Sequence, residues 1–167
     1  MFSVELVPDA ATERVVREDW ERLRIAGLPS AGRNPSPSNR PHVTVAVRDD
    51  LDVGALAGEA QLLPLPLELG GIVLFRHAAR VVVARQVIVT AELLRFHAAV
   101  AERLGPPAPR YATTATGRWT PHVTLARSVP AERLSEVMAA VDAPHVLGEA
   151  TGLRVWDAGA KAITTLR

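Results

Sequence analysis

Two short stretches of the sequence are nearly identical, and this repetition is the strongest indication of the fold. Residues 41–46 read Pro-His-Val-Thr-Val-Ala, and residues 121–126 read Pro-His-Val-Thr-Leu-Ala. Five of the six positions are identical, at an offset of 80 residues. Similarity at a fixed offset is the signature of an internal repeat. We therefore expect the chain to contain one structural unit twice.

Two further pairs of segments extend the repeat. Gly71–Phe75 is similar in type to Gly152–Trp156, and Ala79–Val82 is similar to Ala160–Ile163. Both pairs lie at an offset of 81 residues, so one inserted residue accounts for the difference from the hexamers. Three matching segments in the same order favour a duplication over chance similarity.

Each hexamer has the alternation of a half-buried strand. Because successive side chains of a strand point to opposite faces, we expect His42, Thr44 and Ala46 on one face and the valines at 43, 45 and 47 on the other. The second hexamer repeats this arrangement. Each strand is thus expected to bury an apolar face and to present an imidazole and a hydroxyl on the other, with a small alanine leaving room beside them.

The rest of the chain alternates between predicted strands and helices, bounded by clusters of Gly, Pro and Ser. Strands are predicted over residues 2–7, 42–47, 65–75, 81–89 and 122–126, followed by two closing strands. Helices are predicted over 9–26, 53–62, 91–104 and 131–141, and polar loops over 28–40 and 105–120. This order predicts an α+β fold with mostly antiparallel sheets. We expect residues 1–167 to form a single domain made of two pseudo-symmetric lobes.

The composition narrows the class of protein. The chain has 167 residues, 48% of them hydrophobic, which suffices for one domain with a sizeable core. Without a run of about 18 apolar residues, and without a signal-peptide pattern, we expect a cytoplasmic protein that does not bind membranes. The absence of cysteine excludes disulfides, thiolate metal sites and cysteine nucleophiles. A formal net charge of +1 excludes nucleic-acid coating by bulk charge.

Two facing imidazoles suit the chemistry of phosphodiesters. Near neutral pH, a neutral histidine can accept a proton from attacking water, while a protonated histidine donates one to the leaving oxygen. His42 and His122 are therefore the candidate acid–base pair. The hydroxyls of Thr44 and Thr124 can donate to the non-bridging oxygens of a phosphate and hold it between the imidazoles. This chemistry needs no metal ion.

Other kinds of active site do not fit the pattern. Zinc takes three or four protein ligands, whereas the repeat supplies two imidazoles and no carboxylate at a matching position. Asp49 and Asp50 follow only the first hexamer. The sequence also lacks a Gly-x-Ser-x-Gly nucleophile elbow and a glycine-rich nucleotide loop. We therefore expect no metal site and no cofactor.

With two His-x-Thr motifs about 80 residues apart, the chain resembles the 2H phosphoesterase superfamily. Within it, the chain is most similar to the 2′-5′ RNA ligase-like, or RNA 2′,3′-cyclic phosphodiesterase, branch. The resemblance runs from the opening strand at Phe2–Pro8 to the second motif at Trp119–Arg127 and covers essentially the whole chain. It implies a duplicated two-lobe fold, with antiparallel sheets lining a central cleft and helices outside.

The resemblance also implies roles for individual residues. By this resemblance, His42 and His122 correspond to the catalytic histidines of the family, and Thr44 and Thr124 correspond to its phosphate-binding threonines. The first histidine is often drawn as the base and the second as the acid, yet the internal symmetry leaves that assignment open. Arg127 directly follows the second motif and is a candidate phosphate ligand, although strict alternation would point it away from His122.

The activity implied by the resemblance is hydrolysis of a 2′,3′-cyclic phosphate, on an RNA end or a nucleotide, with RNA ligation as a related reverse activity. Two alternatives remain: a phosphodiesterase for a small cyclic phosphate such as an ADP-ribose derivative, and a non-catalytic module that binds RNA or phosphate. The pair of complete motifs favours an enzyme, because a binder needs phosphate donors but no poised acid and base. The short chain and small net charge favour an RNA terminus over a long duplex, and we expect a monomer.

The remaining candidates have simpler interpretations. We expect His97 to pack on a helix face, His77 to be a solvated turn residue, and the stretch at 144–147, which lacks the threonine, to be an ordinary strand. Trp119 is expected to pack beside its strand, although Trp119 and Tyr111 could also stack on a base. One or two of four loop arginines could bind substrate phosphate: Arg40, Arg76, Arg110 and Arg118.

Overall fold

A computed structural model describes residues 1–167. The strands are β1 (Phe2–Pro8), β2 (Val43–Arg48), β3 (Leu65–His77), β4 (Arg80–Val87), β5 (His122–Pro130), β6 (Val146–Asp157) and β7 (Ala162–Thr165). The α-helices are α1 (Ala10–Ile25), α2 (Ala57–Ala60), α3 (Ala91–Leu104) and α4 (Leu134–Ala140). Short 3-10 turns lie at Ala31–Arg33, Val53–Leu56, Pro109–Thr114 and Ala131–Arg133.

These elements confirm the predicted order of strands and helices, with two differences in helix type. The segment at 53–62 is a 3-10 turn followed by the single-turn helix α2. Gly54 and Gly58 lie within it, and glycine is a poor helix former. The segment at 131–141 likewise begins as a 3-10 turn before α4. Each predicted polar loop also contains a 3-10 turn.

The strands form one continuous antiparallel sheet. Their order is β1-β2-β5-β4-β3-β6-β7, and β6 also pairs with β1. The first six strands of this order therefore close into a circuit. The α+β class and the antiparallel pairing are as predicted, but the expected sheets are joined into one. None of the helices is both long enough and apolar enough to cross a membrane.

The two duplicated units exchange their last strands. The first unit contributes β1, α1, β2 and β3, and the second contributes β4, α3, β5 and β6 in the same order. Strand β1 pairs with β2 of its own unit and with β6 of the other, whereas β4 pairs with β5 and with β3. We name β1, β2 and β6 the first lobe, and β3, β4 and β5 the second lobe. We propose that the chain is a single domain, because neither lobe is complete without a strand from the other unit.

The two hexamers meet where the lobes join. Val43 of β2 pairs with Val123 of β5, and these residues are equivalent in the repeat. The pseudo-twofold axis therefore passes between them. An antiparallel register through this pair places His42 opposite Thr124 on the neighbouring strand and Thr44 opposite His122.

A β-bulge follows the threonine of the first hexamer. Glu5 of β1 pairs with Thr44, whereas the preceding residue, Val4, pairs with Ala46. Strand β2 thus has one more residue than β1 at this point, which reverses the alternation of its side chains. The second hexamer has the same shift, because β4 also advances by one residue while β5 advances by two.

Because of the bulges, the second and third residues after each threonine lie on the face opposite to the predicted one. Ala46 and Ala126 were expected beside the histidines, and this prediction was wrong: both are buried in the hydrophobic core. The residues after them, Val47 and Arg127, line the cleft instead. Strict alternation had placed Val47 in the apolar face and turned Arg127 away from His122.

The opposite face of the sheet is covered by helices. Helices α1 and α3 contribute Trp20, Leu23 and Phe96 to one hydrophobic cluster. Val43 and Val123 are fully buried within the same cluster. This core fixes one face of β2 and β5 and leaves the other face, with its polar side chains, at the cleft.

Candidate active site

A cavity of about 990 Å³ opens on the polar face of the sheet. It lies between β1, β2, β5 and β6, the loop at 29–39 and the β6–β7 turn. The polar and aromatic side chains that line it include Ser3, Glu5, Trp20, Arg33, Asn34, His42, Thr44, Thr124, Arg127, Arg154, Trp156 and Lys161. Four of the five predicted site residues are therefore among its lining, and His122 is the exception.

The two histidines are held in the same way. His42 Nδ1 lies 2.7 Å from the carbonyl oxygen of Arg40, and His122 Nδ1 lies 2.8 Å from that of Thr120. A carbonyl oxygen only accepts, so each Nδ1 carries a hydrogen and donates it. Each Nε2 is then left for proton transfer. Proline before each histidine supports this turn, because its fixed φ restricts the backbone.

His122, two residues before the cavity-lining Thr124, lies against an aromatic ring. Its ring centroid is 4.6 Å from that of Phe75, with the two planes tilted by 47°. Burial lowers the pKa of His122 below its usual value, and the charges of Arg127 and His42 lower it further, against an opposing contribution from the hydrogen bond to Thr120. The lowered pKa favours the neutral imidazole near neutral pH.

The backbone of the two threonines is held by tryptophans. Trp119 Nε1 donates to the Thr44 carbonyl at 2.8 Å, and Trp20 Nε1 donates to the Thr124 carbonyl at 2.9 Å. Beyond the Val43–Val123 pair no ladder joins β2 to β5, so these carbonyls need other donors. Each tryptophan also comes from the unit opposite to the threonine that it holds. The prediction that Trp119 packs beside its strand is confirmed.

His97 supports this arrangement from the core. It is 2% exposed on α3 and stacks on Trp119, with ring centroids 4.2 Å apart and planes 3° from parallel. Its Nε2 lies 3.1 Å from the Thr114 carbonyl. Burial lowers the pKa of His97. The prediction that it packs on a helix face is confirmed.

Arg127 reaches the cleft because of the bulge in β5. Its side chain is exposed, lines the cavity and acts on His122 through its charge. Its equivalent in the first lobe is Val47, so only the second hexamer supplies a cation at this position. The arrangement is what a phosphate ligand at the mouth of the cleft would need.

The loop arginines named from the sequence lie away from the cavity lining. Arg40 pairs with Glu13 at 2.5 Å, Arg76 donates to the Ala78 carbonyl, and Arg110 pairs with Asp49. No partner is found for Arg118, which is exposed. Tyr111 also donates to Asp49, at 3.1 Å, so it is not placed to stack on a base in the cleft.

Two further histidines lie outside the site. His77 is exposed at the β3–β4 turn, as predicted. His145 lies 2.6 Å from Glu68 and is exposed. The strand predicted at 144–147 begins only at Val146, so His145 precedes it.

Sequence reasoning missed several charged and aromatic residues of the cleft. Glu5 and Arg154 form a buried pair on its floor, Arg33 and Lys161 lie on its rim, and Trp156 is an aromatic wall. The signal for Arg154 was present, because it interrupts an apolar segment of the repeat in which the first copy has Val73. No cluster of three or more His, Asp or Glu side chains is close enough to bind a metal ion.

A duplicated antiparallel sheet that brings two His-x-Thr strands together beside a cleft defines the 2H phosphoesterases. Comparison with family models gives the particular group: the 2′-5′ RNA ligase superfamily matches residues 8–161, and the chain belongs to that family. This membership supports an activity on phosphodiester bonds, of the phosphodiesterase or RNA ligase kind. No curated protein matches the sequence significantly.

Two solved structures are similar to this chain in fold. Usb1 of Kluyveromyces marxianus has a TM-score of 0.60 and 14% sequence identity, with 99% of this chain and 96% of that chain covered. TT0787 of Thermus thermophilus has a TM-score of 0.58 and 20% identity, with 99% and 94% covered. The whole fold of this chain is thus shared at low identity.

Proposed function

We propose that this protein is a metal-independent phosphodiesterase that hydrolyses 2′,3′-cyclic phosphates on RNA ends or nucleotides. The observation that carries the proposal is the matched anchoring of the two histidines. Each Nδ1 donates to the carbonyl two residues earlier, so both Nε2 atoms are free to serve one phosphate between them. A module that only binds phosphate would need neither a proton acceptor nor a proton donor.

The proposed reaction is an in-line displacement at phosphorus. A water oxygen bonds to phosphorus while one ribose oxygen of the cyclic phosphate leaves. One Nε2 takes the proton of the water, and the other Nε2 gives its proton to the leaving oxygen, so the two imidazoles exchange protonation states. Proton exchange with bulk water then returns both imidazoles to their starting protonation states. The product is a ribose phosphate monoester.

The threonines and Arg127 supply the charge stabilisation. Thr44 and Thr124 flank the pseudo-twofold axis, and their hydroxyls can donate to the two non-bridging oxygens. Donors fixed before the reaction stabilise the charge that builds up in the transition state. The indole N–H groups hold the threonine backbones, which keeps these donors in place. Arg127 adds a guanidinium suited to paired phosphate oxygens.

The cavity favours a substrate with a nucleotide on at least one side of the phosphate. Its volume of about 990 Å³ lies at the upper end of the range for ligand sites. The loop at 29–39 brings amide and hydroxyl groups to the rim, and Trp156 offers a face on which a base can stack. A cyclic phosphate derived from ADP-ribose would use the same chemistry, and RNA ligation would use a 5′-hydroxyl of a second RNA in place of water as the group that bonds to phosphorus. We propose that the protein acts as a monomer.

A substrate panel in excess EDTA tests the function. Nucleoside 2′,3′-cyclic monophosphates, short RNAs ending in a 2′,3′-cyclic phosphate, and an ADP-ribose cyclic phosphate are incubated with the protein. Ring opening is followed by chromatography and phosphorus NMR. We expect turnover of at least one RNA or nucleotide substrate, unaffected by the chelator and abolished in both His42→Ala and His122→Ala.

The other outcomes of the panel discriminate between the alternatives. Turnover confined to the ADP-ribose compound would replace the substrate class while keeping the mechanism. Loss of activity in EDTA, restored by a divalent cation, would overturn the metal-independent mechanism. Binding of cyclic-phosphate RNA with no turnover of any compound would overturn the enzyme in favour of a binding module.

A further inference from the structure

The floor of the cleft is different in the two lobes. In the first lobe, Thr44 of β2 lies opposite Glu5 of β1, and Glu5 lies opposite Arg154 of β6. These three residues therefore form a row across the sheet. In the second lobe, Thr124 pairs with Ala84, and Ala84 pairs with Val73. A carboxylate and a guanidinium thus stand in one lobe where the other has two apolar side chains.

The Glu5–Arg154 pair is buried and has a fixed geometry. The side chains are 6% and 8% exposed. Arg154 Nε and Nη2 both contact Glu5 Oε2, at 2.9 and 2.8 Å, and Arg154 Nη1 donates to the Ser38 carbonyl at 2.9 Å. A guanidinium held by a carboxylate and a carbonyl has little freedom to move. The pair therefore also connects the floor of the cleft to its rim loop.

The second carboxylate oxygen of Glu5 faces His42. Oε1 lies 3.6 Å from Nε2 of His42, which is too far for a hydrogen bond but close enough for a charge interaction. Arg154 Nη2 lies 3.5 Å from Nδ1, and since Nδ1 donates to Arg40, this second contact is not a hydrogen bond. The ion pair thus turns its carboxylate toward Nε2 and its guanidinium toward Nδ1, and it leaves Nε2 free to contact a substrate oxygen.

His122 has the opposite surroundings. Phe75 covers one side of its ring, the position equivalent to Glu5 is Ala84, and the nearby charges that act on it are those of Arg127 and His42. Both of these charges are positive when His42 is protonated. An apolar wall and cations disfavour a second proton on an imidazole.

We propose that Glu5 and Arg154 are positioning residues that keep His42 as the proton donor and so leave His122 as the proton acceptor. This inference rests on the proposed function and gives it a direction. In the step it describes, the oxygen of water bonds to phosphorus and its proton moves to His122 Nε2. The bond from phosphorus to a ribose oxygen breaks, and that oxygen takes the proton of His42 Nε2.

The variant Glu5→Gln tests the role of the carboxylate, because it keeps the shape of the side chain and removes its charge. We expect the alkaline limb of the kcat/KM profile on a 2′,3′-cyclic nucleotide to move to lower pH, with a loss on the order of tenfold at neutral pH, a part of the 10²–10⁴ that a general acid contributes. Glu5→Asp, which retains the charge, should move the alkaline limb part of the way back toward its position in the wild type. Glu102→Gln, at an exposed position of α3, is the control.

The direction of proton transfer is tested with a better leaving group. A nucleotide p-nitrophenyl ester releases a phenolate that needs no proton, so an acid is dispensable and a base is not. We expect Glu5→Gln and His42→Ala to lose much less activity on this ester than on the cyclic phosphate, whereas His122→Ala loses activity on both. The reverse pattern, with His122→Ala tolerated on the ester, would overturn the assignment.

The two hypotheses fail in different ways. If wild-type protein turns over no phosphodiester, the proposed function fails. If it turns over the cyclic phosphate through both histidines, but Glu5→Gln leaves the alkaline limb in place while thermal unfolding shows a folded variant, only the role of the Glu5–Arg154 pair fails.

Discussion

At the scale of the residue, Arg127 lies where one side chain could contact a substrate phosphate and also act on His122, the proposed base. Its guanidinium lines the cleft, and its charge adds to burial in lowering the pKa of His122. The base must be neutral to accept a proton, so activity falls as the pH drops through that pKa. A lower pKa thus extends activity toward acidic pH.

Replacing Arg127 by glutamine should therefore have two effects. The pKa of His122 rises toward its ordinary value, which moves the acidic limb of the kcat/KM profile to higher pH. The KM for a cyclic phosphate rises roughly tenfold, since a charged hydrogen bond to phosphate is lost. Both effects are measured by initial rates across the pH range. Arg118→Gln, at an exposed loop position, is the matched control.

An acidic limb that stays in place, or a KM equal to that of wild type, would contradict this role of Arg127. In the first case the guanidinium would not act on His122. In the second it would not contact the substrate phosphate.

At the scale of the element, β2 and β5 separate beyond a single residue pair, and two indoles take over the hydrogen bonds that a ladder would have made. Trp20 and Trp119 are not equivalent in the repeat, yet they donate to equivalent carbonyls. The separation leaves the room in which a phosphate can approach both hexamers. The tryptophans keep the two strand ends from moving apart.

The variants Trp119→Phe and Trp20→Phe should each destabilise the protein by about 1–3 kcal/mol, because each leaves a carbonyl without its donor. Urea unfolding followed by circular dichroism measures the change. Trp156→Phe is the control, since Trp156 lines the cavity and its indole makes no hydrogen bond. If both variants were as stable as Trp156→Phe, the hydrogen bonds of the two indole N–H groups would contribute nothing to the free energy of unfolding.

The hexamers also show how far sequence reasoning reaches at this scale. The repeat was enough to predict β2 and β5, their apolar faces and the meeting of His42, Thr44 and their equivalents, because alternation and duplication are local signals. The bulges could not be predicted, because they arise from pairing with β1 and β4, which are far away in sequence. Alternation therefore failed one residue beyond each threonine and placed Ala46 and Arg127 wrongly.

At the scale of the whole molecule, the exchange of β3 and β6 between units explains why two charged residues of the cleft were not predicted from the sequence. Arg154 belongs to the second unit but enters the first lobe, where it meets Glu5 from the start of the chain. Nothing in the sequence brings positions 5 and 154 together until the strand exchange is known. The sequence therefore predicted the placement of the symmetric residues near the cleft, and it missed the residues that make the two lobes unlike.

A buried ion pair secures the exchange. Arg85 of β4 is fully buried and donates to the Gly70 carbonyl of β3 at 3.0 and 3.2 Å. It also lies 3.5 Å from Asp19 of α1 and donates to the Pro144 carbonyl before β6. One side chain of the second unit therefore contacts helix and strand of the first.

If His42 and His122 act as one unit on one phosphate, as we propose, a comparison of single and double variants will show it. The kcat/KM for an RNA ending in a 2′,3′-cyclic phosphate is measured for the wild type, His42→Ala, His122→Ala and the double variant. We expect each single variant to lose roughly 10²–10⁴ in kcat/KM, and the double variant to lose no more than the less active single variant. A single variant that retains the activity of wild type, or two losses that multiply in the double variant, would contradict the account.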